Sequence, residues 1–169
     1  DDPVLTARDP AGVRATHTPR RYVLTRTSVP QPGAAVFAEP PGRGTLVTSE
    51  GADPSALTAL QDAGIRVIRY PAGGGIRAAL EAVASDGVDD VLIEPGPALM
   101  TGLVEVGMID ELVTITAGGL GGPVAPAWYA GPVTGGPTRL DPLFVPIESG
   151  IVGTDAVTVW RPVVAPAGT

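Results

Sequence analysis

Glu94, Gly96 and Pro97 are the residues whose types and spacing most directly suggest chemistry. They lie in the run Val91-Leu92-Ile93-Glu94-Pro95-Gly96-Pro97-Ala98-Leu99-Met100-Thr101-Gly102. The run reads as a buried strand, an acidic residue at its end, a tight Pro/Gly turn and the start of a helix. Three successive apolar residues suit a strand covered on both faces, as in a parallel sheet. Pro95 and Gly96 punctuate the run, and Pro97 suits a first helical turn, where its missing N–H costs nothing. In open α/β sheets, ligands bind outside the carboxyl ends of the strands. The free N–H groups of a helix start attract anions. A carboxylate and an anion-binding turn therefore stand where such a fold keeps its chemistry. The plain alternative is an ordinary strand–turn–helix link, which a short Gly/Pro motif does not exclude.

Composition narrows the chemistry further. The 169 residues are 44% hydrophobic but only 4% aromatic, so the core must be built from Val, Leu, Ile and Ala. This length fits a single domain, residues 1–169, with a sizeable core. All eleven basic residues are arginine, so lysine-based catalysis and a P-loop lysine are excluded. Phosphate recognition must then use Arg forks, helix N-termini or backbone N–H groups. The net charge of −7 argues against a nucleic-acid binder. The absence of cysteine excludes disulfides, thiolate metal sites and a thiol nucleophile. No apolar run approaches the roughly 18 residues that span a bilayer. No membrane partner is expected, and a cytoplasmic location is the default.

The elements that must position these residues follow from pattern. Strands are expected at residues 22–25, 45–48, 65–68, 90–93 and 112–116. Helices are expected at 54–63, 76–86 and 97–106. Asp53-Pro54 is a strong helix start, an N-cap followed by proline. Gly64 and Gly87 stop the first two helices. The strand–helix alternation through 45–116 indicates a largely parallel α/β sheet, and strands at 143–147 and 157–160 suggest an antiparallel edge. Residues 118–138 form a Gly/Pro-dense loop whose role the sequence does not give.

Four motifs, in order and at compatible spacing, carry a family resemblance. Asp1-Asp2-Pro3-Val4-Leu5-Thr6-Ala7-Arg8 resembles the DDPxLTxR signature of the riboflavin-biosynthesis pyrimidine reductases. Leu92 to Leu99 resembles that family's (L/V)xExGPxL motif. Gly107-Met108-Ile109-Asp110-Glu111-Leu112 resembles its G-(L/V)-(V/I)-D-E-L, and Gly118 to Gly122 its LLGG turn. The resemblance implies a dihydrofolate-reductase-like, mostly parallel twisted sheet flanked by helices, with an antiparallel edge at the C-terminus. It implies an NADPH-dependent oxidoreductase that converts the ribosylamino side chain of a pyrimidine phosphate to the ribitylamino form by hydride transfer. A related pterin or dihydrofolate-like substrate is also compatible. By motif, Leu5, Arg8 and Glu94 would contact substrate. Asp1 and the turn Gly96, Pro97, Ala98, Leu99, Met100, Thr101 and Gly102 would contact the cofactor. The family is usually homodimeric.

Two departures stand out. The family strand often ends in V-L-D-S, whereas here it reads Val23-Leu24-Thr25-Arg26. Arg26 either neutralises the 2′-phosphate of NADPH or is a solvated strand end. The family's first strand and S-x-D-G segment, followed by a helix, are not in this sequence, which leaves the completeness of the site open. A catalytically silent nucleotide-binding or dimerisation module is the competing reading. No catalytic acid, base or metal site is assigned: His17 is a lone histidine in a polar segment, and Asp89-Asp90 and Asp110-Glu111 read as polar links before strands.

Overall fold

The first half of the chain is built on β2 (Gly44–Ser49), whose six residues are all buried. Its side chains alternate between two cores. Leu46 packs with Val36, Phe37, Ala52, Leu57 and Leu60 on one face. Val47 packs with Tyr70, Ala79 and Val83 on the other. Both faces of the strand are covered, as for the centre of a parallel sheet. The two neighbours are β1 (Arg21–Leu24) and β3 (Arg66–Tyr70), each parallel to β2, in the order β1-β2-β3. Helices α1 (Ala35–Ala38) and α2 (Pro54–Asp62) supply the first core, and α3 (Gly75–Ser85) the second. Burying one Leu or Val side chain is worth about 1.5–3 kcal/mol, so this double burial holds the sheet.

In this computed structural model, residues 2–9, 11–38, 42–119, 128–129 and 143–163 are described. They divide into two compact units, Asp1–Leu92 and Ile93–Thr169. Local chemistry explains the helices of the first unit. Asp53 caps α2 by accepting the Ser55 N–H at 2.9 Å, and Pro54 opens the helix. Gly87, at φ +76°, ends α3 in a conformation that an L side chain resists. Gly44 has a packing role: a Cβ there would lie 2.8 Å from Phe37 Cδ1 and 2.9 Å from the Val36 carbonyl.

The second unit contains α4 (Pro97–Glu105), β4 (Leu112–Thr116), β5 (Phe144–Val152) and β6 (Asp155–Pro162). Its sheet is antiparallel, in the order β4-β6-β5. A two-residue turn, with Gly153 at φ +64°, closes the β5–β6 hairpin. The Trp160 indole N–H donates to Thr114 Oγ1 at 2.9 Å, tying β6 to β4. Met100 and Leu103 form the buried face of α4.

The α/β class, the parallel sheet and the antiparallel C-terminal strands are as the pattern implies. Three expectations change. The strand at 90–93 does not form: residues 88–96 have no regular structure, Val91 is 50% exposed and Leu92 89% exposed. A strand needs a neighbour for its N–H and C=O groups, and none is hydrogen-bonded to this run among the described residues. β4, expected to continue the parallel alternation, instead runs antiparallel to β6. The terminal strands are also longer than the apolar runs that marked them.

At the amino end of the parallel sheet, Asp86 ties three elements together. It caps the C-terminus of α3. Its carboxylate accepts both guanidinium arms of Arg66 at the start of β3, and the Tyr22 hydroxyl of β1 at 2.6 Å. Arg20 adds bonds to the Asp86 and Gly87 carbonyls at 3.0 and 2.8 Å. The Arg66 bonds, then the Tyr22 bond, lower the Asp86 pKa from 3.8 to about 2. A carboxylate with a depressed folded pKa contributes stability that is present above its unfolded pKa and lost as pH falls through the folded one. Asp86→Asn is therefore expected to lower the urea midpoint at neutral pH. The gap to wild type should close as pH drops from 3.8 toward 2. Equal midpoints at neutral pH would show that the knot adds nothing.

Candidate active site

The carboxyl ends of β1, β2 and β3 form a bonded polar rim. Thr25 Oγ1 donates to Thr48 Oγ1 at 3.1 Å, which donates to the Arg26 carbonyl at 3.2 Å. The Ser49 N–H donates to the same carbonyl at 3.1 Å. The Tyr70 hydroxyl donates to the Thr25 carbonyl at 3.0 Å, and burial raises its pKa. Thr48 and Ser49 are buried polar residues whose bonds hold the backbone of Arg26. The Arg26 side chain is exposed beyond the strand end. Arg26 stands out in the sequence, whereas Thr48 and Ser49 belong to no motif there. Two adjacent hydroxyl residues closing a wholly buried strand are the available signal.

The N-terminal segment is pinned to the same unit at three points. Asp2 Oδ1 accepts the Ala35 N–H at 2.9 Å, at the start of α1. The buried Arg21 donates from Nη1 to the Val4 carbonyl at 3.0 Å. Leu5 packs against the first core cluster. Leu5 is also the one non-glycine residue at positive φ, +52°, among the described residues. That conformation costs an L residue roughly 1–2 kcal/mol, and core packing of the side chain holds it. Leu5 was expected to touch substrate. Its half-buried side chain packs against the core cluster, and its redirected backbone leads on to Arg8. Asp1, the expected cofactor contact, lies outside the described residues.

Beyond Leu5, residues 7–9 and 11–15 meet in a short antiparallel bridge, Arg8 opposite Arg14. Asp9 Oδ1 accepts the Ala11 and Val13 N–H groups at 3.0 and 2.8 Å. Arg8 is exposed, with Nη1 donating to the Gly12 carbonyl at 2.9 Å.

In the second unit, Glu94 is exposed in the irregular segment before α4. Gly96 is the N-cap and Pro97 the first helical residue, and no side chain caps the helix. The first-turn N–H groups of Ala98 and Leu99 therefore have no intrahelical carbonyl partner. Gly96 has φ −72°, which any residue adopts, and a Cβ there would meet nothing within 4 Å. A side chain at position 96 would therefore not strain this turn. Neither backbone nor packing requires glycine here. Further along, Met100 is buried, so its side chain faces the core. Thr101 Oγ1 donates back to the Pro97 carbonyl at 2.8 Å, a common use of a mid-helix hydroxyl. Gly102 accepts the Val106 N–H at the helix end.

Leu5, Arg8 and Arg26 thus belong to one compact unit, and Glu94 and Gly96–Gly102 to the other. Gly118 and Gly119 are described and open around Cα; Trp128 and Tyr129 are also described, with ring centroids 5.8 Å apart. The rest of the 118–138 loop lies outside the described residues. No cluster of three or more metal-ligating side chains occurs among the described residues. No helix there is long and apolar enough to cross a membrane.

The family model of the RibD C-terminal domain matches residues 1–131, and the chain belongs to that family. RibD of Acinetobacter baumannii, in its form 1 structure, is similar at TM-score 0.74 and 21% identity, over 97% of this chain and 44% of that one. A pyrimidine reductase-like protein from Corynebacterium diphtheriae is similar at TM-score 0.70 and 18% identity, over 88% and 62%. A diaminohydroxyphosphoribosylaminopyrimidine deaminase/5-amino-6-(5-phosphoribosylamino)uracil reductase from Thermotoga maritima is similar at TM-score 0.63 and 17% identity, over 96% and 42%. These likenesses establish the dihydrofolate-reductase-like fold. The chain spans less than two thirds of the length of each of these structures. No curated protein matches it.

Proposed function

We propose that this chain is an NADPH-dependent reductase of the riboflavin pathway, acting on a ribosylamino-pyrimidine phosphate. The observation that carries the reading is Gly96. The turn has a glycine that its own geometry does not need, at a helix start that no side chain caps. Absence of Cβ lets a pyrophosphate approach the backbone, and the helix dipole favours the anion. Gly96 to Leu99 would hold the cofactor phosphates, and Arg26 its 2′-phosphate. Asp1 would lie at the cofactor. Arg8 would bind the substrate phosphate as a charge-assisted fork, and Glu94 would accept hydrogen bonds from sugar hydroxyls. NADPH held there would supply a hydride to the imine or carbonyl carbon of the opened sugar, with solvent supplying the proton that the heteroatom takes up.

Calorimetric titration tests this assignment. Gly96→Val should abolish NADPH binding with an unchanged circular dichroism spectrum. Thr101→Ala should weaken binding only modestly, because the hydroxyl is directed to Pro97. Arg26→Ala should weaken NADPH and leave NADH nearly untouched. Undiminished NADPH binding by folded Gly96→Val would remove the turn from the cofactor site. The competing silent module would bind NADPH without turning over any substrate.

The partner we propose is a second copy of the chain. β5 is an edge strand, and Val145, Ile147, Ile151 and Val152 on it are exposed. Such a strand is open to pairing with another chain, and a two-fold contact would cover it. Light scattering coupled to size exclusion should give twice the chain mass, and Ile151→Lys should shift it toward the monomer. A monomeric wild-type protein would end the proposal.

A further inference from the structure

We propose that Tyr70 positions Arg26: the Tyr70 hydroxyl holds a one-residue slip in the pairing of β1 with β2, and the slip aims the Arg26 side chain at the 2′-phosphate of the cofactor, setting the preference for NADPH over NADH. The inference rests on the proposed role of Arg26 and adds Tyr70 and Thr48, two residues that no motif marks.

The slip is visible in the hydrogen bonds. β1 and β2 are parallel, with Leu24 beside Val47. In a parallel ladder, a residue that donates its N–H to one carbonyl of its neighbour accepts from the N–H two residues further along that neighbour. The Thr25 N–H donates to the Val47 carbonyl at 2.9 Å, so the regular acceptor for the Ser49 N–H is the Thr25 carbonyl. The Ser49 N–H donates instead to the Arg26 carbonyl at 3.1 Å. One extra residue is thus accommodated on β1, as in a β-bulge, a device that bends a strand and re-aims a side chain. The displaced Thr25 carbonyl accepts from the Tyr70 hydroxyl at 3.0 Å. On the Arg26 carbonyl a second donor, the Thr48 hydroxyl at 3.2 Å, backs the Ser49 N–H.

Burial gives these bonds their weight. Tyr70 is buried with Val47, Ala79 and Val83, and Thr48 is fully buried. Deleting the Tyr70 hydroxyl would leave the Thr25 carbonyl without that donor, which costs as much as a lost hydrogen bond. Regular pairing, with the Ser49 N–H back on the Thr25 carbonyl, then becomes the better arrangement. A one-residue change of register turns a side chain to the other face of its sheet, so Arg26 would lose its aim. Burial raises the Tyr70 pKa and the Arg26 charge lowers it, so the guanidinium lies within electrostatic reach of the phenol. The Arg26 side chain is exposed at the carboxyl end of the sheet, where such folds bind ligands. Tyr70 acts on the cofactor only through Arg26.

Calorimetric titration of NADPH and NADH into the whole chain tests the device. Wild type should prefer NADPH. Tyr70→Phe should weaken NADPH about three- to tenfold, the scale of one hydrogen bond, and leave NADH unchanged. Thr48→Val should do the same, and Thr48→Ser, which keeps the hydroxyl, should bind as wild type does. In an Arg26→Ala background neither Tyr70→Phe nor Thr48→Val should weaken NADPH further, because both act through Arg26. Tyr22→Phe, the same change at the opposite end of the sheet, should leave both affinities alone. Circular dichroism checks folding, and the two Thr48 variants carry the test alone if Tyr70→Phe does not fold. Unchanged NADPH affinity in Tyr70→Phe and Thr48→Val overturns the proposal, as does an equal loss of NADPH and NADH. A further loss in the Arg26→Ala background overturns it too. Failure of the underlying reading is separately visible: Arg26→Ala would itself leave both affinities as in wild type, and the two proposals would fall together.

Discussion

The two-sided burial of β2 is the constraint on which the first unit depends. Leu46 and Val47 point to opposite cores, so helices must cover both faces and the strands beside β2 run parallel to it. A central parallel strand has no solvent face on which to carry polar residues. Its polar groups collect at its ends. Thr48 and Ser49 sit there, and their hydroxyl and N–H bonds fix the Arg26 backbone. At the other end, Asp86 gathers Arg66, Tyr22 and Arg20. One end is closed by an ion-pair knot, and the other leaves an arginine exposed. That asymmetry matches the general rule that ligands bind at the carboxyl ends of such sheets.

The N-terminal segment shows how local strain and burial combine to aim a side chain. Leu5 holds an unfavourable φ because its side chain packs on the core and the neighbouring carbonyl is bonded to buried Arg21. Strain of this sort persists only where surrounding structure over-determines it. Here it turns the chain into the segment that carries Arg8. The motif therefore contributes a backbone path from Leu5 and a charge from Arg8, two different physical roles within four residues.

Much of this was legible in the sequence. Asp53-Pro54 announced α2 because capping and proline chemistry act locally, and the element is there within a residue. The three parallel strands followed from short apolar runs between helices. Val91-Leu92-Ile93 was misread for the same reason that it looked convincing: three apolar residues fit a buried strand, but pairing requires a neighbour that composition cannot reveal. Thr48, Ser49 and Asp86 belong to no motif, and polar residues at element ends are common, so only their bonds in the fold single them out. Gly96 stands out in the sequence as a turn residue before a helix, but its φ of −72° needs no glycine. The turn tolerates a side chain, and its interest lies in what a side chain there would exclude.

Transfer of label from cofactor to product addresses the central claim most directly. The protein would be incubated with a ribosylamino-pyrimidine phosphate and NADPH bearing deuterium at the transferable position of the nicotinamide, and the product analysed by mass spectrometry. The account predicts a ribitylamino product carrying one deuterium in its side chain. Bound NADPH with no labelled product would contradict it, leaving a nucleotide-binding module without the reductase activity.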